Sequence, residues 1–197
     1  MNTIHVLDAD EVGRVQDIVR RLGADGSVGA EPGATYAVAG RPVAWDQPPP
    51  PPDWFLEALV LRALQPRHIL FLCVANSARS QLGEGIGRLL APEGVTISSA
   101  GSEPTRVRPQ AIAVMDEVGV DITGHASKGM DDVDRPVDAV ITLCAEESCP
   151  AWLDRAWRLH WPLPDPAGAG ETEEEELDAF RGARDELVRR LRVVFDV

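Results

Sequence analysis

Short apolar runs alternate with polar, helix-like stretches along the last two-thirds of the chain. Ile69 to Leu72 are four apolar residues in a row, which predicts a short strand buried on both faces. Gln81 to Leu90 has the composition of a helix, and Val95 to Ile97 reads as a second strand running into Ser98-Ser99-Ala100-Gly101. Pro109 to Val118 predicts a helix that buries Ile112, Met115 and Val118. Val137 to Leu143 is another buried strand, and Arg158-Leu159-His160-Trp161 a final short one. Leu177, Phe180, Leu187, Leu191 and Val194 give the last helix one apolar face. Its acidic start, Glu171 to Glu176, suits the positive end of a helix dipole, and Thr172 and Glu175 have the spacing of a capping box. Strands alternating with helices imply an α/β fold: a parallel sheet covered on both sides, with ligands at the carboxyl ends of its strands.

The first third has a different pattern. Ile4 to Leu7 suggests a strand, followed by a helix with Val12, Val15, Val19 and Leu22 on one face and Asp8 or Asp10 as its cap. Gly23 to Gly33 reads as a glycine-rich loop, and Thr35 to Trp45 as a small hairpin around Gly40-Arg41-Pro42. Residues 47–52, a glutamine and five prolines, form a stiff extended linker. Asp53 then caps a helix with Leu56, Leu59, Val60 and Ala63 on a shared face. The expected organisation is a small α+β extension, residues 1–64, before a catalytic domain, residues 65–197. No residue of the extension carries identifiable chemistry.

Composition narrows the choice of partners. A formal net charge of −13 argues against nucleic acid or an anionic membrane, which both need a basic face. It also requires that a small anionic substrate be captured by local positive groups against the overall field. No apolar run approaches the ~20 residues that cross a bilayer, and Met1-Asn2-Thr3-Ile4-His5 has no signal-peptide pattern, so a cytoplasmic location is expected. Three cysteines in such a chain point to reactive thiols more than to a disulfide framework.

One of those thiols sits where chemistry is expected. The predicted strand at Ile69–Leu72 runs into Cys73, Arg79 follows six positions later, and a helix begins beyond. A strand, a tight loop and a helix N-terminus form an oxyanion cradle: loop N–H groups converge, and the dipole adds positive potential. The same field favours Cys73 as thiolate, and Arg79 can fork onto two oxygens of a tetrahedral oxyanion. A lone cysteine is more simply a buried structural residue; the Cys-x5-Arg-Ser spacing at a strand-to-helix junction favours the reactive reading. Cys144 likewise ends a predicted strand, which would bring both thiols to one edge of the sheet.

The motifs Cys73-Val-Ala-Asn76-Ser-Ala-Arg79-Ser80-Gln81, Ser99-Ala-Gly-Ser-Glu-Pro104, Gly124-His-Ala-Ser-Lys128, Thr142-Leu-Cys144 and His160-Trp161 before Asp165-Pro166-Ala167 carry a resemblance. From about residue 67 to 197 the chain resembles the thioredoxin-coupled arsenate reductases, which share the low-molecular-weight protein tyrosine phosphatase fold. The fold implied is three-layer α/β/α with a central four-stranded parallel sheet. By position, the resemblance makes Cys73 the nucleophile and Arg79 the oxyanion clamp, with the backbone of Val74, Ala75, Asn76, Ser77 and Ala78 around the anion. Ser80 would stabilise the thiolate, Asn76 hold the loop's shape, and Asp165 protonate the departing oxygen. His160 and Trp161 would be structural. Arsenate, with phosphate as its analogue, is the implied substrate. Cys144 and Cys149 would shuttle a disulfide to an external thiol reductant such as thioredoxin, in arsenic detoxification.

Relatives that bind potassium beside the loop use an asparagine, a glutamate, a serine and an aspartate. The first three fall on Asn76, Glu84 and Ser99, and the fourth on Lys128, whose ammonium would replace the ion. No bound cofactor or metal is implied, and a zinc site of Cys144, Cys149 and His160 has too few ligands. Only four residues separate Cys144 from Cys149, which leaves glutathione and mycothiol open as reductants. Two rival functions are a phosphotyrosine phosphatase, which usually has an aromatic where Ala167 stands, and a non-catalytic arsenate or phosphate sensor.

Overall fold

The computed structural model describes residues 2–30, 35–145, 151–152 and 154–197. The chain divides into two compact units: Met1–Pro66 with Arg192–Val197, and Arg67–Leu191. Among the described residues no helix is long and apolar enough to cross a membrane.

The first unit contains β1 (Ile4–Val6), α1 (Ala9–Arg21), β2 (Val28–Ala30), β3 (Tyr36–Val38), β4 (Arg41–Val43) and α2 (Asp53–Leu64). Its sheet has the order β2-β1-β3-β4, with β1 and β2 parallel and the other pairs antiparallel. Asp8, not Asp10, caps α1: its Oδ1 accepts the Glu11 N–H at 2.9 Å. Glu11 reaches back, Oε2 accepting from Leu7 N–H at 2.9 Å and Oε1 from the Tyr36 hydroxyl at 2.7 Å.

Four sequence expectations change here. The 23–33 stretch is not all loop, because β2 lies within it; three residues paired to β1 are too few to show alternation. The hairpin turns at Ala39-Gly40, both at positive φ, which places Arg41-Pro42 in edge strand β4, where proline's missing N–H is tolerated. Pro52, not Asp53, is the N-cap of α2, with no side-chain cap bond. This helix is also buried well beyond one stripe: Phe55, Ala58 and Leu61 are as enclosed as Leu56, Leu59 and Val60.

The second unit contains β5 (His68–Cys73), α3 (Arg79–Leu90), β6 (Thr96–Gly101), α4 (Pro109–Asp116), a 3-10 turn at Met130–Asp132, β7 (Ala139–Cys144), β8 (Trp157–Leu163) and α5 (Glu173–Phe195) up to Leu191, its residues from Arg192 onward being grouped with the first unit. The four strands form a parallel sheet of order β6-β5-β7-β8. Every residue of β5 is buried, so layers cover both faces of the sheet. Leu70 and Leu72 join Val133, Val137, Val140 and Trp152 in one core cluster. On the opposite face, Phe71 meets α3 so closely that a Cβ on Gly83 would lie 2.8 Å from its ring.

Thr172 caps α5 with the expected reciprocal bonds: its Oγ1 accepts from Glu175 N–H at 3.2 Å, and Glu175 Oε2 from Thr172 N–H at 2.9 Å. β6 runs through Ser98–Gly101, where the sequence suggested only its end, and α3 starts two residues earlier than Gln81. Chain connections leave β5 towards β6 on one side and reach β7 on the other. The carboxyl end of β5 is therefore a topological switch point, the ordinary place for a ligand crevice.

Candidate active site

Cys73 closes β5, and the loop Val74–Ala78 joins it to α3. Five loop carbonyls in a row are held from outside. Val74 O accepts from Glu103 N–H (2.9 Å), Ala75 O from Thr105 N–H (3.1 Å) and Ser77 O from Arg108 N–H (2.9 Å). Asn76 O accepts from Ser127 Oγ (2.6 Å) and Gln81 Nε2 (3.0 Å), and Ala78 O from the Gln81 and Leu82 amides. In a planar trans peptide, C=O and the following N–H point in opposite directions. Carbonyls bonded outward thus turn the next N–H groups towards the loop's centre, where an oxyanion needs donors.

Asn76 shapes this loop from behind. Its φ of 47° is left-handed, which asparagine tolerates better than most residues. Its buried side chain is fully used: Nδ2 donates to Ser80 Oγ (2.9 Å) and Ser99 Oγ (2.8 Å), and Oδ1 accepts from Gln81 Nε2 (3.0 Å) and Lys128 N–H (2.7 Å). Ser80 Oγ lies 2.9 Å from Cys73 Sγ; since it accepts from Asn76, its own proton is available to the sulfur. Asn76 N–H donates to the same sulfur at 3.2 Å. Two donors therefore converge on Cys73 Sγ.

A small cavity of about 110 Å3 opens above the sulfur, lined by Cys73, Val74, Ala75, Ser77, Ala78, Arg79 and Asp165. Of the loop residues expected around the anion, Asn76 alone is not on the wall, because its amide is bonded to the sulfur and its side chain lies behind the loop. Arg79 is 4% exposed; its Nη1 donates to Leu163 O at 3.1 Å, and its Nη2 lies 3.5 Å from Asp165 Oδ2. Asp165 also accepts from Ala167 N–H at 3.2 Å, which holds the carboxyl at the cavity's edge.

Below the loop lies a buried charge cluster. Glu84 is fully enclosed, with Lys128 Nζ at 3.0 and 3.2 Å from its two oxygens. Arg88 pairs with the same carboxylate, and Ser99 Oγ donates to it. Gln81 Nε2 is spent as a donor, so its Oε1 accepts from His125 Nδ1 at 2.9 Å, and His125 Nε2 accepts from Arg88 at 3.2 Å. Burial, chiefly, holds His125 below its ordinary value; Glu84 opposes this, while Arg88 and Lys128 add to it.

Cys144 ends β7 as a buried thiol. The β5–β7 register pairs Leu72 with Thr142, so both strands carry their cysteines to the same edge of the sheet. Across β8, Cys144 stands opposite Leu163, whose carbonyl receives Arg79. Cys149 lies outside the described residues. His160 Nδ1 bonds Thr142 Oγ1 at 2.9 Å, and Trp161 is fully buried with Arg190 over its ring at 5.9 Å. Among the described residues no group of three metal-ligating side chains occurs.

Sequence reasoning gave no role to Gly101, Gln81 or His125. Gly101 pairs with Cys73 across the sheet, and a Cβ there would lie 2.3 Å from Val74 O and 2.8 Å from Asn76 N. The signal for it was an invitingly small residue ending a strand after Ser-Ala. Gln81 and His125 stood inside recognised motifs, but their hydrogen bonds appear only in three dimensions.

A cysteine above inward amides, an arginine fork and a carboxylate, at the switch point of a parallel sheet, defines a thiol-dependent oxyanion enzyme of the α/β class. The family model for the low molecular weight phosphotyrosine protein phosphatases matches residues 68–196, and the chain belongs to that family. It is 40% identical over 127 residues to an arsenate reductase of Halalkalibacterium halodurans and to one of Bacillus subtilis, covering 63% of this chain and 91% of each relative. Among solved structures, an arsenate reductase in an oxidised state is 32% identical with a TM-score of 0.56. One in a phosphate-binding state is 30% identical with a TM-score of 0.52. Each match covers 66% of this chain and 97% of the other.

Proposed function

We propose that the chain is an arsenate reductase whose chemistry resides in residues 65–197. The observation that supports reduction over hydrolysis is a second buried thiol, Cys144, at the sheet edge that carries Cys73. A phosphatase has no use for it.

In this reading, arsenate enters the cavity and is held by the loop amides and Arg79. The Cys73 thiolate attacks arsenic, and an arsenic–oxygen bond breaks as Asp165 protonates the departing oxygen, which leaves as water. The product is a Cys73–S–As(V) adduct. Cys144 thiolate then attacks Cys73 sulfur; the S–As bond breaks with its electron pair moving to arsenic, which leaves as arsenite, and a Cys73–Cys144 disulfide forms. Cys149 thiolate attacks Cys144, frees Cys73, and leaves Cys144–Cys149 for an external dithiol reductant of the thioredoxin kind, in a reducing cytoplasm. Glu84 and Lys128 complete a cation site with Asn76 and Ser99 in which the ammonium makes a metal ion unnecessary.

Mass mapping after one arsenate turnover without reductant tests the relay. The expected result is Cys144 joined to Cys149 with Cys73 reduced, and Cys73 joined to Cys144 in the Cys149→Ser variant. Arsenite release accompanied only by a mixed disulfide with a small thiol would remove the three-cysteine relay. Aryl phosphate turnover far above arsenate reduction would instead favour the phosphatase reading, to which the family model's own name lends weight.

A further inference from the structure

Proton transfer to a departing oxygen needs the acid placed within ~2.6–3.2 Å of it. Asp165 is 38% exposed and stands at the start of a turn of small residues, Pro166-Ala167-Gly168-Ala169-Gly170. The turn's own bonds are long: Ala167 N–H to Asp165 Oδ1 at 3.2 Å, and Ala169 N–H to Pro166 O at 3.3 Å. Arg79 Nη2, across the cavity, is 3.5 Å from Asp165 Oδ2. These contacts shape the turn but tie it only loosely to the cradle.

A firmer tie comes from α5. Glu176 Oε1 accepts from Gly168 N–H at 2.8 Å, and its Oε2 accepts from Gln110 Nε2 at 2.9 Å. Both bonds run to a carboxylate, which makes them stronger than bonds between neutral groups. Gln110 is the second residue of α4, and the N-cap of α4, Arg108, donates its N–H to Ser77 O at 2.9 Å. One side chain therefore connects the turn that carries Asp165 to the helix start that is fastened to the Cys73 loop. The approach is close: a Cβ on Gly170 would lie 2.4 Å from Glu175 Cβ. The neighbouring acids are otherwise placed. Glu174 pairs with Arg181, Glu175 closes the capping box with Thr172, and Glu173 is exposed.

We propose that Glu176, held by Gln110, is a positioning residue that sets the Asp165 carboxyl over the cradle. This role rests on the reading of Asp165 as the acid. When the arsenic–oxygen bond breaks, the proton passes from Asp165 to the departing oxygen and Asp165 is left as carboxylate. Glu176 neither gives nor takes a proton and touches no reacting atom. Its requirement is geometric: in Glu176→Gln the amide oxygen keeps Gly168 N–H, and Gln110 turns its own oxygen towards the new Nε2. Alanine keeps neither bond.

The test measures kcat and KM for arsenate, with melting temperature, in single and double variants. Asp165→Asn is expected to lower kcat about 100-fold. Glu176→Ala should lower kcat about tenfold and leave KM within about twofold, because the loop amides and Arg79 bind the anion without the turn. Glu176→Gln should stay within about twofold of the wild type, and Glu173→Ala, which removes an acid from the same helix turn, should change nothing. In the Asp165→Asn background, Glu176→Ala should cost less than about twofold more, since both act through one group. A second readout needs no arsenate: kcat/KM for phenyl phosphate, whose leaving oxygen needs a proton, should fall about tenfold in Glu176→Ala, but for 4-nitrophenyl phosphate only about twofold. A full loss in the Asp165→Asn background, a loss in KM alone, a Glu173→Ala variant as impaired, or equal losses on the two esters overturns the positioning role. A wild type that reduces no arsenate but shows the ester difference removes the reductase reading and leaves the positioning role standing. One that turns over neither arsenate nor ester removes both.

Discussion

In the N-terminal unit, Glu11 is 2% exposed and each of its oxygens answers a local need, one the Leu7 amide and the other the Tyr36 hydroxyl. Its buried neighbour in kind, Glu57, takes an ion pair from Arg21. Around Cys73 the buried polar groups are not scattered. Asn76, Ser80, Gln81, Glu84 and Ser99 are each fully enclosed and bonded to one another, and the chain of contacts ends on a sulfur. Burying polar groups costs free energy unless every one is bonded. The first unit meets that cost singly, to fix a helix; the second concentrates it at one atom, and that concentration marks the chemistry.

Substitutions can break this contrast. The largest effect is expected from Cys73→Ser, which should abolish arsenite release while leaving the melting temperature close to the wild type's, because a hydroxyl without a base is a poor nucleophile. Next comes Gly101→Ala. The added Cβ meets backbone at Val74 O and Asn76 N, neither of which can swing away, so the cradle must deform. Activity should drop at least ~100-fold, since small misplacements at a reacting centre cost that much, and stability should fall by about 1–3 kcal/mol.

A subtler probe is acid. His125 is held below its ordinary value, so the unfolded chain binds its proton first as pH falls. Its stabilising contribution is therefore complete above the ordinary histidine value of ~6.5 and is lost as pH drops from there towards the folded value. Melting temperature should decline across that window, and His125→Gln should flatten the decline. Gly13→Ala, in α1, sharpens the contrast from the other side: no atom lies within 4 Å of its added Cβ. Stability should rise by about 0.5–1 kcal/mol with activity unchanged. The smallest expected effect is none at all. Exchanging sodium for potassium should alter neither activity nor melting temperature, with Lys128 Nζ beside Glu84.

Much of the second unit was legible because its signals are local. Ile69–Leu72 gave a buried strand, and Cys73, Arg79 and Ser80 a cradle, since their spacing alone sets a strand, a loop and a helix start. The donors that hold the loop were not legible. Glu103, Thr105 and Arg108 act through backbone amides, and which amide meets which carbonyl depends on where β6 pairs beside β5. The role of Gly101 has the same origin, as it follows from the Cys73–Gly101 register. In the first unit, β2 was hidden among glycines and polar residues, and the extensive burial of α2 could not be read from a pattern with one obvious stripe.

The outward-bonded carbonyls of residues 74–78 have a consequence for heredity. An anion site built from side chains can be lost by any of several single codon changes. In the cradle proposed above the donors are main-chain amides, which every residue except proline supplies whatever the codon encodes. The mutational target shrinks to the few positions that set the loop's path, Asn76 and Gly101 foremost, and to the Arg79 fork. A lineage carrying this cradle can vary Val74, Ala75 and Ala78, or exchange what stands at Cys144, without dismantling the anion site beneath.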